Sequence, residues 1–321
     1  MERRPLGASG ISVSALSLGS WQTYERIPRE QGAAVMAAAR EAGIDFLDDA
    51  RYDDVTGTAP LRTGYSEVVF GELFRRVGWQ RDEVVVANKL WWEFWPEQSA
   101  AQELDSSLGR MGLDHVDLIY AERPPDGLSV EEIVESTGGL IDAGKARAWG
   151  VLNWRPELIA EAAHVAERMG GPAPCAAQLV YSVAHPAAVE DEAMGEVLDA
   201  AGAAVVASAV LAGGALTGKY AASAGNPSDT LSRGRLAGQL GAPRWERALR
   251  VGDRLRGFAS RVGATPSEVA LAFALRGARV ASVLFGATTP EQVSENLGAL
   301  ALAGRLTEEE LAELRRLAAD A

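Results

Sequence analysis

Residues 84–120 read VVVANKLWWEFWPEQSAAQELDSSLGRMGLDHVDLIY and contain one complete strand–helix–strand unit. Two short apolar runs, Val84–Ala87 and Val116–Tyr120, flank an amphipathic stretch over Ala100–Met111. The apolar residues of that stretch recur at helical spacing, as Leu104, Leu108 and Met111. Because two strands joined through a helix pair in parallel, the stretch predicts a βαβ unit.

The same alternation extends over the whole chain. Six further apolar runs precede or follow this unit: Ala15–Leu18, Ile44–Leu47, Ala146–Val151, Ala176–Val180, Ala203–Ala207 and Val280–Leu284. Amphipathic segments such as Glu131–Ala143 separate them. Eight strands alternating with helices predict an α/β protein with a (β/α)8 TIM barrel. A doubly wound sheet is the competing architecture, but residues 18–21 (LGSW) lack its glycine-rich turn.

Three segments depart from the alternation. Residues 3–13 read as an N-terminal β-hairpin that turns at Gly7 to Gly10 and plugs the bottom of the barrel. Residues 51–66 and 221–245 each follow a strand, so a barrel would carry them as long βα loops on its active face. No shift in composition marks a boundary, and we expect residues 1–321 to form a single domain.

Composition argues against several classes of function. The 31 basic and 44 acidic residues give a net charge of −13, which would repel nucleic acid. No apolar stretch is long enough for a membrane helix, and residues 1–10 lack a signal-peptide core. The single cysteine, Cys175, excludes a disulfide framework and a cysteine metal cage. We therefore expect a cytoplasmic protein without a metal, a membrane or a nucleic-acid partner.

Chemically capable side chains lie at the ends of three of the predicted strands. Asp48 and Tyr52 come after the second strand, Lys89 ends the third, and Glu122 comes after the fourth. In a (β/α)8 barrel the carboxyl ends of the strands form one mouth, where active sites lie. The sequence thus predicts that two acids, a tyrosine and a lysine meet at this mouth.

At these strand ends the chain resembles the aldo-keto reductase family over nearly its whole length. The resembling stretches include LSLGSW, AGIDFLDDARY, VVVANK, LTGKY and GATTPEQVSENL. The resemblance implies a (β/α)8 barrel that binds NADPH, or less often NADH, and transfers hydride to a carbonyl. It also implies a catalytic set of aspartate, tyrosine, lysine and histidine.

Residue by residue, Asp48 matches the family's aspartate and Lys89 its lysine. The family's tyrosine follows the aspartate by five residues, whereas Tyr52 follows Asp48 by four, which leaves Tyr65 as the alternative. A nearby lysine ammonium is expected to lower the pKa of the tyrosine below its ordinary value of about 10. The phenol would then protonate a developing alkoxide. An ordinary ion pair between neighbouring strands is the other interpretation of Asp48 and Lys89.

The family's histidine position falls on Glu122. In the family this exchange resembles the steroid double-bond reductases. A protonated carboxyl here would donate a hydrogen bond to the substrate carbonyl and favour hydride addition to an activated C=C. The alternative is that Glu122 forms an ion pair with Arg123 or Arg51.

The cofactor positions match the family only in part. Asn153 and Gln178 match the residues that hold the nicotinamide amide, but Leu152 replaces a serine, and Ser208 stands where an aromatic ring normally stacks. The other matched positions are Leu211, Gly286, Thr288, Gln292, Glu295 and Asn296. Neither Thr288 nor Thr289 can bind a 2′-phosphate by charge, and Arg233 or Arg235 in the long loop is the alternative ligand. NADPH is the expected cofactor, NADH is an alternative, and loss of the cofactor is a third outcome.

Aromatic residues are concentrated after the strand ends. We expect Trp21, Tyr65, Trp91, Trp92 and Trp154 to line a pocket for an apolar or cyclic small molecule, with core packing as the alternative.

The expected function is reduction of a carbonyl or of the C=C of an α,β-unsaturated carbonyl. Two alternatives are a redox-neutral acid/base reaction and a non-catalytic regulatory subunit, since the family is also similar to potassium-channel β subunits.

Overall fold

Within the described residues, eight parallel strands close into a barrel. The computed structural model describes residues 1–54, 57–220 and 243–319. Around the barrel the strands are β3 (Leu16–Gly19), β4 (Phe46–Asp48), β5 (Val85–Leu90), β6 (Leu118–Ala121), β7 (Ala148–Leu152), β8 (Ala176–Val180), β9 (Ala204–Ser208) and β10 (Val280–Phe285). Strand β10 pairs with β3 and closes the ring. The predicted (β/α)8 barrel is confirmed.

The strands begin or end one to three residues away from several predicted bounds. The clearest case is β5, which runs on through Asn88 and Lys89 to Leu90. Both polar side chains are buried there because each has a partner. Asn88 Nδ2 donates to Glu67 Oε1 at 2.9 Å, and Lys89 Nζ lies 2.5 Å from Asp48 Oδ1. Paired polar residues therefore continue a strand that an apolar pattern ends too early.

Helices follow the strands and cover the outside of the barrel. They are α1 (Arg29–Glu41), α2 (Tyr65–Val77), α3 (Ala100–Met111), α4 (Val130–Asp142), α5 (Pro156–Met169), α6 (Ala187–Glu190), α7 (Glu192–Ala201), α8 (Pro243–Val262), α9 (Pro266–Leu275), α10 (Pro290–Arg305) and α11 (Glu308–Ala319). Capping boxes at Ser99, Ser129 and Thr265 fix where three of them begin. The predicted helix over 100–111 is confirmed at both ends.

The N-terminal segment forms the predicted hairpin. Strand β1 (Arg3–Pro5) pairs antiparallel with β2 (Ser12–Ser14). Gly7 has a φ of +55°, and a Cβ there would collide with the carbonyl oxygens of Cys175 and Gly202. Those carbonyls precede β8 and β9, so the turn lies against the amino ends of the strands. Buried apolar residues of the hairpin fill this end of the barrel: Leu6, Ile11 and Val13.

The two long βα loops differ in what the structure describes. The first closes on itself, since Asp53 bridges to Thr63 and Gly64 N donates to the carbonyl oxygen of Tyr52 at 2.9 Å. Arg233 and Arg235, predicted as alternative phosphate ligands in the second loop, lie outside the described residues. Helix α8 already begins at Pro243, two residues before the predicted end of that loop.

In the described part of the chain, every helix is too short or too polar to cross a membrane.

Candidate active site

Asp48 and Lys89 form a buried ion pair at the carboxyl ends of two adjacent strands. Strand β4 ends at Asp48, and β5 places Lys89 two residues beyond Ala87, the register partner of Asp48. Lys89 Nζ lies 2.5 Å from Asp48 Oδ1, and both side chains are about 2% exposed or less. Since side chains alternate along a strand, both project toward the barrel axis. The predicted pairing of these two residues is observed.

Tyr52 completes the cluster, and Tyr65 does not. The phenol oxygen of Tyr52 lies 3.0 Å from Lys89 Nζ. Tyr52 N donates to the carbonyl oxygen of Ala50 at 2.9 Å, and this tight turn brings the ring back toward the strand ends. Tyr65 begins α2, and its oxygen accepts a hydrogen bond from Arg29 at 2.8 Å. A spacing of four residues between Asp48 and Tyr52 therefore suffices to bring the phenol to Lys89.

The pKa values of Lys89 and Tyr52 both lie above their ordinary values. Burial lowers the pKa of Lys89, but the Asp48 carboxylate and the Tyr52 oxygen raise it by more, so its pKa lies above the ordinary value. Burial raises the pKa of Tyr52, and the lowering by Lys89 does not offset it. The expectation that this pKa falls below its ordinary value is wrong. The site at neutral pH holds an ammonium and a protonated phenol.

Gln178 also belongs to this cluster. It is 3% exposed on β8, and its Nε2 donates to the second oxygen of Asp48, Oδ2, at 2.9 Å. Asp48 is therefore held from two sides, by Lys89 on one oxygen and by Gln178 on the other. The sequence predicted Gln178 as a ligand of the nicotinamide amide, whereas its own amide nitrogen is bonded to Asp48.

Glu122 stands one residue beyond β6. Its backbone N still donates to the carbonyl oxygen of Leu90 at 2.9 Å, which continues the strand. Tyr120 packs inside the barrel, so the alternation places Glu122 on the same interior side, at the mouth. Its Oε1 accepts a hydrogen bond from the backbone N of Arg123 at 3.0 Å and lies 3.4 Å from Arg123 Nε.

Arg51, the other predicted partner of Glu122, has a different role. Its guanidinium is buried and lies 2.7 Å from Glu93 Oε2 and 3.9 Å from Glu103 Oε1. It also donates to Thr63 Oγ1 at 3.0 Å. Arg51 thus links the loop after β4, which carries Tyr52, to the loop after β5. Of the two alternatives for an ion pair with Glu122, the structure contains the one with Arg123.

A cleft of about 920 Å³ opens at the mouth of the barrel and reaches Asp48 and Tyr52. Its walls are the segment after β3, the loop after β9 and the start of α10. Six predicted cofactor residues line it: Leu211, Gly286, Thr288, Gln292, Glu295 and Asn296. Three others lie outside these walls: Asn153 directly after β7, Gln178 in the middle of β8 and Ser208 at the end of β9.

The end of the cleft at α10 is built around a helix start. Thr289 caps the helix by accepting a hydrogen bond from Gln292 N, and Gln292 Oε1 accepts one from Thr288 N at 2.7 Å. Both threonines thus form hydrogen bonds with Gln292 within this turn. The N-terminal end of this 16-residue helix still favours an anion. Arg26 and Lys219 bring positive charge to the cleft walls.

The predicted aromatic pocket is only partly formed. Trp21 is 43% exposed and lines the cleft, and the ring of Trp91 lies 6.0 Å from that of Tyr52 in an edge-on arrangement. Trp92 and Trp154 are at most 3% exposed and belong to the core between barrel and helices. The prediction that these two tryptophans line a pocket is corrected, as is that for Tyr65, which packs under Arg29.

Trp92 has a left-handed backbone with a φ of 59°. Its ring packs in the core, and its Nε1 donates to the carbonyl oxygen of Glu122 at 3.2 Å. The sequence pattern indicates neither the left-handed backbone nor this hydrogen bond.

The polar cleft residues that the sequence analysis did not single out include Arg26, Gln31 and Lys219. Lys219 lies in LTGKY, one of the stretches that carry the family resemblance, so that motif could have indicated it. Gln31 Nε2 donates to the carbonyl oxygen of Thr288 at 2.6 Å and so joins α1 to the start of α10. Neither Gln31 nor Arg26 lies in a motif that would have marked it.

Comparison with known proteins agrees with this architecture. A profile of the Aldo/keto reductase family matches residues 15–319. A probable voltage-gated potassium channel subunit beta of Oryza sativa subsp. japonica is 32% identical over 319 residues, which cover 96% of this chain and 94% of that protein. A putative voltage-gated potassium channel subunit beta of Schizosaccharomyces pombe is 32% identical over 330 residues, with 97% and 91% covered. A probable subunit of the same kind from Arabidopsis thaliana is 28% identical, with 96% and 93% covered. The chain therefore belongs to the aldo/keto reductase family of oxidoreductases.

Proposed function

We propose that this protein is an NADPH-dependent reductase that converts a carbonyl, or the C=C of an α,β-unsaturated carbonyl, of an apolar small molecule. The observation that carries the proposal is the position of Lys89 Nζ, 2.5 Å from Asp48 Oδ1 and 3.0 Å from Tyr52 Oη. Asp48 and Tyr52 line a cleft of about 920 Å³, a size that suits a nucleotide with part of a substrate.

NADPH, when bound, supplies the hydride. Tyr52 then donates its phenolic proton to the substrate oxygen as negative charge develops there. Lys89 remains charged and stabilises the phenolate that forms, because the buried Asp48 carboxylate holds its pKa above the ordinary value. Gln178 fixes Asp48 and thereby the direction of the lysine. Each residue of the cluster thus has one defined task.

The cleft supports binding of a nicotinamide dinucleotide. Its far end is the amino end of α10, where backbone amides and the helix dipole favour phosphate. Arg26 and Lys219 would add charge, and Gln292 and Asn296 would offer hydrogen bonds. The threonines at 288 and 289 carry no charge for a 2′-phosphate, so NADH is the alternative to NADPH.

Glu122 decides between the two reductions. It lies on the interior side of the mouth with about a quarter of its side chain exposed. A protonated Glu122 would donate to the substrate oxygen together with Tyr52 and so favour an enolate, and hence reduction of the C=C. An ionised Glu122 paired with Arg123 would leave Tyr52 as the donor and favour simple carbonyl reduction.

The test is turnover by the purified protein. NADPH is incubated with the protein and a panel of aromatic aldehydes, cyclic ketones and cyclic enones, and the products are identified by mass spectrometry. We expect an alcohol or a saturated ketone in amounts equal to the NADPH oxidised. Conversion of a substrate without nucleotide oxidation would instead support the redox-neutral alternative.

A regulatory role is the second candidate, and the relatives favour it. Two of them, named as potassium-channel β subunits, are 32% identical to this chain over almost the full length of both. A regulatory subunit need not turn over substrate. The Tyr52–Lys89–Asp48 cluster argues for retained chemistry, and the two roles are compatible in one chain.

A further inference from the structure

Two adjacent aspartates at the end of β4 face opposite sides of the barrel wall. Asp48 points to the axis and pairs with Lys89. Asp49 follows directly, so the alternation turns its side chain outward, toward the helices. It is fully buried there, and among the described residues its Oδ2 has no hydrogen-bond partner. The cluster described above makes no use of Asp49.

Asp49 is tied to the segment after β3 through Ser20. The Ser20 hydroxyl donates a short hydrogen bond to Asp49 Oδ1, and Ser20 N donates to the carbonyl oxygen of Asp48 at 3.0 Å. Asp49 N itself donates to the carbonyl oxygen of Ala87 on β5 at 3.1 Å. Ser20 is therefore fixed to Asp48, the last residue of β4, and to Asp49, the residue after it, and through Asp49 N to β5, the strand that carries Lys89.

Ser20 in turn fixes part of the cleft wall. Its neighbours Gly19 and Trp21 both line the cleft, as does Gln22. The carbonyl oxygen of Ser20 accepts a hydrogen bond from Thr23 N at 2.9 Å, which makes residues 20–23 a compact turn. A shift of Ser20 would move Trp21, which is attached to it by a single peptide bond.

The surroundings of Asp49 suit an uncharged carboxyl group. Glu67 is buried nearby, but Arg110 and Asn88 bind its two oxygens. Among the described residues, Asp49 has the Ser20 hydroxyl on one oxygen and no hydrogen-bond partner on the other, and a buried charge with so little compensation is costly. Burial, with the Glu67 carboxylate, holds the pKa of Asp49 well above its ordinary value.

From these contacts we infer that Asp49 is a positioning residue. Its side chain holds Ser20 and so sets where Trp21 and Gln22 stand on the cleft wall beside Asp48 and Tyr52. The consequence for turnover rests on the proposed reductase function, whereas the consequence for Trp21 does not.

Fluorine NMR of protein labelled with 5-fluorotryptophan tests the inference without any ligand. The chain has eight tryptophans, and the resonance missing from Trp21→Phe identifies Trp21. Asp49→Ala and Ser20→Ala remove opposite ends of the same hydrogen bond, and we expect both to shift the Trp21 resonance in the same direction. Asp49→Asn keeps an uncharged acceptor and should rescue the wild-type resonance. Ser20→Ala also covers the case in which Asp49→Ala does not fold.

Steady-state kinetics provide the second measurement. Loss of one hydrogen bond should raise KM for the substrate about two- to tenfold in Asp49→Ala and Ser20→Ala, with the pH profile of kcat unchanged. An unmoved Trp21 resonance in Ser20→Ala would overturn the inference, as would an Asp49→Asn protein whose resonance matches that of Asp49→Ala. If Trp21 moves as expected but the wild-type protein reduces no substrate, the positioning role stands and the proposed function fails.

Discussion

The phenol oxygen of Tyr52 lies 3.0 Å from the ammonium nitrogen of Lys89, although Tyr52 follows Asp48 by only four residues. The hydrogen bond from Tyr52 N to the carbonyl oxygen of Ala50 makes the intervening turn tight. Gly64 N closes the following loop onto the carbonyl oxygen of Tyr52. Two backbone bonds thus place this ring at the mouth, and they single out one of the two candidate tyrosines.

Replacement of Tyr52 by phenylalanine should remove the proton donor and leave the fold intact. We expect kcat for reduction to fall by about a hundredfold or more, with little change in the affinity for the nucleotide. Tyr65→Phe is the matched control, because the Tyr65 phenol accepts a hydrogen bond from Arg29 and does not line the cleft. Near-normal turnover by Tyr52→Phe, with loss in Tyr65→Phe, would assign the role to the other tyrosine.

Lys89→Met should destabilise the protein as well as inactivate it. The change leaves the Asp48 carboxylate buried without its cation, which costs about 3–5 kcal/mol in the free energy of unfolding. Urea denaturation at neutral pH measures this loss in the free energy of unfolding. The double variant Asp48→Asn/Lys89→Met contains no buried charge at this pair and should recover most of the loss. A Lys89→Met protein as stable as the wild type would show that the Asp48–Lys89 ion pair is not effectively buried.

The pH dependence of reduction follows from the raised pKa of Tyr52. The protonated phenol is the active form, so activity is present below its pKa and lost as the pH rises through it. Because burial holds this pKa above the ordinary value of about 10, kcat should stay level up to about pH 10 and decline only beyond it. A decline that is centred near neutral pH and absent from Tyr52→Phe would contradict this assignment.

Glu122→His should change which bond is reduced. If Glu122 acts as a protonated donor, the histidine variant should raise the ratio of ketone to enone reduction about tenfold or more. Arg123→Ala is the control, since it removes the cation at 3.4 Å and leaves the carboxyl group in place. Equal ratios in wild type and Glu122→His would exclude this role for Glu122.

Most of the barrel was predictable because its signal is local. Apolar runs of four to six residues recur between amphipathic helices, and β8 was predicted with both of its bounds. The mouth position of Asp48, Lys89 and Glu122 follows from the rule that strand ends meet at one face. Those predictions needed no knowledge of long-range contacts.

The remaining features depend on contacts that the sequence does not display. Gln178 is 130 residues from Asp48 along the chain, and their hydrogen bond exists only because the barrel closes. The ring of Trp92, whose backbone is left-handed, packs in the core, while Trp21 lines the cleft. The direction of the pKa shift of Tyr52 depends on burial, which outweighs the adjacent ammonium.

The central claim is that Tyr52, Lys89 and Asp48 serve reduction by a bound nicotinamide nucleotide. Titration of the purified protein with NADPH and with NADH, followed by quenching of tryptophan fluorescence, tests its first requirement most directly. We predict saturable binding in the micromolar range, reversed by displacement with the oxidised nucleotide. Absence of binding up to millimolar concentrations of both nucleotides would contradict the account and would favour a redox-neutral role for the same cluster.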